Sequence, residues 1–113
     1  MITGEQFAQL TLSFAGTEQV PHFERIGFKV TGKRMFSTYL AKDNTANVFL
    51  TPKEQAVFCR MNTAIYPVPN KWGDKGATTF DLNTVPKHIL QEALLSAYDE
   101  VLSTKKKARR HSK

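Results

Sequence analysis

Cysteine is almost missing from this chain. Cys59 stands alone, so no disulfide can close within the chain, and crosslinks are excluded as a source of its stability. A lone thiol fits a reducing, cytoplasmic setting. Long apolar runs are missing too. None approaches the roughly 18 residues that read as a membrane-spanning helix, so no membrane role is expected. The opening MITGEQFAQL has no basic segment followed by an apolar one, and a secretory signal is therefore not expected. Histidine is sparse, and His22, His88 and His111 share no ligand spacing with Cys59, so no metal cluster is expected. There is no glycine-rich phosphate loop and no nucleophile with a base at a telling spacing. These absences predict a protein without metal, cofactor or catalysis.

What is present is a folded body with a charged end. A chain of 113 residues makes one domain, and a hydrophobic content of 41% with eight Phe supplies one modest core. The net charge is +6, but it is not spread evenly. STKKKARRHSK, residues 103–113, holds Lys105, Lys106, Lys107, Arg109, Arg110 and Lys113 and no acid. The remaining ten cations and all ten acids fall in residues 1–102, which are neutral as a whole. The predicted organisation is a single domain over 1–104 and a basic tail over 105–113, disordered or a frayed helix end.

Local patterns place the elements. Thr3-Gly4-Glu5-Gln6 is a capping box, and Ile2 and Phe7 sit where a hydrophobic staple belongs. Phe7, Leu10 and Phe14 then recur at helical spacing, up to a stop at Gly16. The period changes in RIGFKVT, where Ile26, Phe28 and Val30 alternate with Arg25, Gly27 and Lys29, a half-buried strand that opens the sheet after Pro21-His22-Phe23. Thr31-Gly32-Lys33 turns the chain into MFSTYL, and Asp43-Asn44 turns it into a strand over 47–50. Short loops require antiparallel neighbours. Thr51-Pro52-Lys53-Glu54 caps a short helix ending near Met61. Residues 64–69, with Pro67 and Pro69, suit an edge strand or loop. A turn-rich loop follows over 71–76 and a strand over 77–82. The last helix starts near Thr84 or Val85. Its apolar stripe is Ile89, Leu90, Ala93, Leu94, Ala97, Tyr98, Val101 and Leu102. The fold class predicted is α+β, a two-layer arrangement with a mostly antiparallel sheet and helices packed on one face.

Several stretches together resemble the MmcQ/YjbR family of small bacterial domains. They are LSFAGTEQVPHF (12–23), FKVTGKRMFSTY (28–39), the capped TPKEQ helix, YPVPNKWGDKGATTFDL (66–82) and LLSAYDEVL (94–102). The resemblance covers about residues 3–104, and it is carried by the ordered set of motifs. It implies the two-layer fold, similar to that of bacterial secretion chaperones. It also implies DNA binding, a label the family commonly takes from likeness to a "double wing" surface whose concave sheet face holds the duplex. One position departs from the pattern: Ala77 stands where a bulky residue often follows the second glycine of the W-G-x-x-G loop.

The candidate contacts to nucleic acid are cations with an aromatic among them, a composition suited to phosphate contacts and base stacking. In the body they are Arg25, Lys29, Lys33, Arg34, Lys71, Trp72 and Lys75. In the tail they are Lys105, Lys106, Lys107, Arg109 and Arg110. Six engaged tail cations would give a slope of log K against log salt of about −5, without sequence preference. Each feature also has a plainer reading: a solvated tail, a solvated sheet face, and Trp72 as a plug at the edge of the core. His22 reads as a hydrogen-bonded structural residue and Cys59 as a small core hydrophobe. His88 and His111 read as surface residues, and Asp99-Glu100 as a solvated helix face. The leading expectation is a non-catalytic DNA-binding domain. The alternative is a protein-interaction or chaperone-like module, as a homodimer or with a client.

Overall fold

A computed structural model describes residues 1–103 with their side chains; the expectations for the side chains of Lys105, Lys106, Lys107, Arg109 and Arg110 lie outside the described residues. The elements run α1 (Gly4–Leu12), β1 (Thr17–His22), β2 (Arg25–Val30), β3 (Met35–Leu40), β4 (Thr45–Phe49), α2 (Pro52–Met61), β5 (Ile65–Pro67), α3 (Lys71–Asp74), β6 (Ala77–Asp81) and α4 (Lys87–His111). The strands form one six-stranded sheet in the order β1-β2-β3-β4-β6-β5, and every neighbouring pair is antiparallel. The predicted α+β class holds.

Both capping boxes form. Thr3 Oγ1 accepts from the Gln6 amide at 3.1 Å while the Gln6 side chain accepts from the Thr3 amide at 2.9 Å. Thr51 and Glu54 repeat the exchange at 3.2 and 3.0 Å, with Pro52 opening the helix. α1 stops sooner than expected. Ser13 caps it, and Gly16 takes φ +74° in the turn that follows. That turn leads into a strand that the alternation did not reveal. β1 is TEQVPH, whose strand-favouring residues are only Thr17 and Val20 and which contains Pro21. An edge strand tolerates this composition, because one side of its backbone needs no partner. The sheet therefore begins at Thr17, and His22-Phe23 belongs to the hairpin between β1 and β2.

Cross-strand register decides which face each side chain takes. Phe28, Ser37, Val48 and Thr78 stand in one row, as do Ile26, Tyr39, Ala46, Phe80 and Ile65. This is the helix side. Phe7 meets the ring of Phe28 edge-on at 5.4 Å and stacks on Tyr39 at 5.8 Å. Phe58 of α2 meets Phe80 at 6.4 Å. From α4, Leu90, Ala93, Leu94, Ala97 and Val101 are buried in the same core. Each large aromatic here contributes of order 3–5 kcal/mol against truncation to Ala.

β3 carries an irregularity that shapes the other side. Phe28 pairs with Ser37, but Lys29 pairs with Met35, so Phe36 is skipped in the ladder. Such a bulge bends the strand and increases its twist. Phe36 turns into the core, where its ring meets Phe14 at 6.4 Å and Tyr98 at 5.9 Å. Met35 turns to the opposite face and lies over Gly27, where a Cβ would come within 2.6 Å of its terminal methyl.

Candidate nucleic-acid interface

The face away from the helices is built from the alternate residues of the same strands. One row across it reads Val20, Gly27, Thr38, Asn47, Thr79 and Tyr66. Small and polar side chains at its centre keep the floor low. Thr79 Oγ1 donates to Asn47 Oδ1 at 2.8 Å. Arg25 lies over the row and donates from Nη1 to Thr38 Oγ1 at 3.4 Å. Above this floor is a broad concavity of about 900 Å³ that reaches the β1–β2 hairpin, the start of α2 and the α3 loop.

The α3 end is held by close backbone contacts. Gly73 packs against the Val68 carbonyl so tightly that a Cβ would sit 1.8 Å from its oxygen. Gly76, at φ +115°, packs on the Leu50 carbonyl, where a Cβ would sit 1.9 Å away. Gln55 of α2 donates to the carbonyls of Gly73 at 2.9 Å and Ala77 at 3.0 Å. Asn70 Oδ1 accepts from the Trp72 amide at 2.9 Å. The W-G-D-K-G sequence is thus fixed as a platform against α2 and β6, and Trp72 projects from it with 62% of its surface exposed. The Lys75 ammonium lies 5.4 Å from the centre of the indole. This corrects the plug reading of Trp72: the two glycines, not the indole, fill the tight space.

At the opposite end, the β1–β2 hairpin closes through Phe23 and Glu24, with His22 paired to Arg25. Phe23 has φ +59° and is 96% exposed. Its ring meets His22 edge-on at 5.0 Å.

Four of the seven candidate residues in the body, Arg25, Arg34, Trp72 and Lys75, line the concavity. Lys29 occupies the same face directly across from Glu18, a carboxylate that offsets its charge. Lys33 lies in the β2–β3 turn, where its amide donates to the Val30 carbonyl at 2.8 Å. Lys71 is exposed on α3. Neither they nor Lys29 line the concavity. Glu100, expected on a solvated helix face, is a lining residue.

Sequence reasoning missed Phe23, Met35, Thr38 and Asn47 as parts of this surface. The hairpin was hidden because its turn lacks the Gly, Asn or Asp that signals one. Cys59 packs against the core from α2, and burial pushes its thiol pKa up, which disfavours the thiolate. Asp81 accepts from the amide and side chain of Asn83 at 3.0 and 2.8 Å. Among the described residues there is no group of three potential metal ligands and no helix long and apolar enough to cross a membrane.

The fold resembles that of a Deinococcus radiodurans protein. The crystal structure of DR2400, which carries a DUF419 domain, matches with a TM-score of 0.72 at 23% identity, over 87% of this chain and 77% of that one. The likeness is one of architecture. No family model and no curated protein matches the chain.

Proposed function

We propose that this chain is a non-catalytic nucleic-acid-binding domain of the MmcQ/YjbR type, working in the cytoplasm, which holds nucleic acid in the concavity over the open face of its sheet. The observation that carries the reading is the charge on the concavity. Among the described residues, Arg25, Arg34 and Lys75 line it against one carboxylate, Glu100. Residues 1–102 are neutral as a whole, so this is a local excess. Cations around a concave surface attract polyanions through the summed field. Phosphate contacts of this kind position a nucleic acid without reading its sequence. The tail adds non-specific attraction in this account.

The test is fluorescence anisotropy with a labelled oligonucleotide at several salt concentrations, using full-length variants that keep the tail. The double variant Arg25→Glu, Lys75→Glu is expected to weaken low-salt binding about tenfold or more and to flatten the salt dependence. The variant Lys29→Glu, Lys33→Glu is expected to have a smaller effect, because those residues lie off the concavity. Equal affinity of the Arg25/Lys75 variant and the parent would overturn the reading. The protein-interaction alternative would then lead.

A further inference from the structure

Phe23 is an anomaly that folding alone does not explain. Its left-handed backbone suits Gly, Asn or Asp in a two-residue hairpin turn and is strained for a bulky side chain. At 96% exposure the ring recovers almost no burial in exchange. It also lines the concavity. Across the face from it stands Trp72, likewise exposed but on a rigid platform. Each ring has a cation close in the chain: Arg25 follows Phe23 by two residues and Lys75 follows Trp72 by three. Between them lies the polar floor of Thr38 and Asn47.

We infer that the open face takes unpaired, single-stranded nucleic acid, with Phe23 and Trp72 as two stacking surfaces for its bases. This deepens the nucleic-acid reading above and rests on it. Single strands present every base as a free π-face, and proteins that hold them combine cations along the backbone with exposed aromatics for the bases. A duplex has its base faces already stacked. It would meet Phe23 and Trp72 with sugars and phosphates, or would have to unstack to admit them. Two exposed rings, each with a cation near it and an uncharged floor of Thr38 and Asn47 between them, therefore match the single strand.

Trp72 is the sole tryptophan, so its fluorescence reports on one end of the site. The experiment titrates the full chain with oligothymidine and with a duplex of equal length, and follows both indole emission and anisotropy of the labelled nucleic acid. Phe23→Gly is compared in parallel. Glycine suits the positive φ, so this variant keeps or improves the turn, and thermal unfolding checks that it is folded. The expected result is quenching of Trp72 by the single strand, tighter binding of single strand than duplex, and about a tenfold loss of single-strand affinity in Phe23→Gly. Duplex bound as well as single strand, with Phe23→Gly unchanged, overturns this inference but leaves the cationic face as a backbone reader. Binding with no change in Trp72 emission, and unaffected by Arg25→Glu with Lys75→Glu, assigns the grip to the tail and overturns both proposals. The absence of binding to either nucleic acid at low salt overturns both as well and redirects the search to a protein partner.

Discussion

Phe23 and Gly76 both occupy positive φ, at +59° and +115°, with opposite surroundings. Phe23 has solvent around it; Gly76 has the Leu50 carbonyl where a side chain would begin. The backbone geometry at Gly76 joins the end of β4 to the start of β6, since the Leu50 amide donates to the Gly76 carbonyl at 3.3 Å. A methyl group there must move backbone as well as adopt a strained φ. Gly76→Ala is expected to destabilise the fold by about 3 kcal/mol or more. Urea unfolding would measure this as a lower midpoint with an unchanged slope. The glycines of W-G-D-K-G are visible in the sequence, but their purpose is not. Which carbonyl a glycine makes room for depends on residues far away in the chain. The sign of φ at Phe23 was equally hidden, since phenylalanine is the wrong residue to announce it.

Between residues and the whole lie the elements, and here the sequence was most informative where the signal was local. Thr3 and Thr51 announced their helices because a capping box is completed within four residues. The alternation of RIGFKVT identified β2 and its two faces because period two follows from the backbone itself. The signal failed where pairing supplies what composition lacks. β1 is a strand because β2 offers it a complete ladder, not because TEQVPH prefers one. The bulge at Phe36 likewise depends on neighbouring strands. Placement of α3 belongs to this scale too, and Gln55 is its bolt. Gln55→Leu removes two hydrogen bonds, but the Gly73 and Ala77 carbonyls keep other backbone donors. The expected global cost is therefore about 1–2 kcal/mol. The local effect should be clearer: amides of 70–77 exchange faster with deuterium, and Trp72 shows lower steady-state anisotropy. Unchanged exchange across 70–77 would contradict the bolt.

For the molecule as a whole, the sheet has two unlike faces. One face holds the helices and the aromatic core. The other exposes a bent face with Thr38, Asn47 and Thr79 at its centre, Arg25 over it, Met35 and Phe49 in the lining of the concavity, and Phe23 and Trp72 exposed toward its ends. The alternation of apolar and charged residues in β2 foreshadowed this division, and the paired register of six strands completes it. The site could not be assembled from sequence because it joins a hairpin near residue 23, a strand near 47 and a platform near 72. Only the lateral order β2-β3-β4-β6-β5 places them around one concavity. Net charge misleads at this scale, since its excess belongs to the tail, while residues 1–102 are neutral as a whole.

In the proposed mode of binding the open sheet face, and not the basic tail, is the principal contact. Titration of the isotopically labelled full chain with oligothymidine, followed by amide and indole NMR shifts, tests it most directly. The expected shifts are at Phe23, Arg25, Thr38, Asn47, the Trp72 indole and Lys75, with the helix-side residues Phe58 and Leu94 little changed. Shifts confined to residues 103–113, with the sheet face silent at saturation, would contradict it.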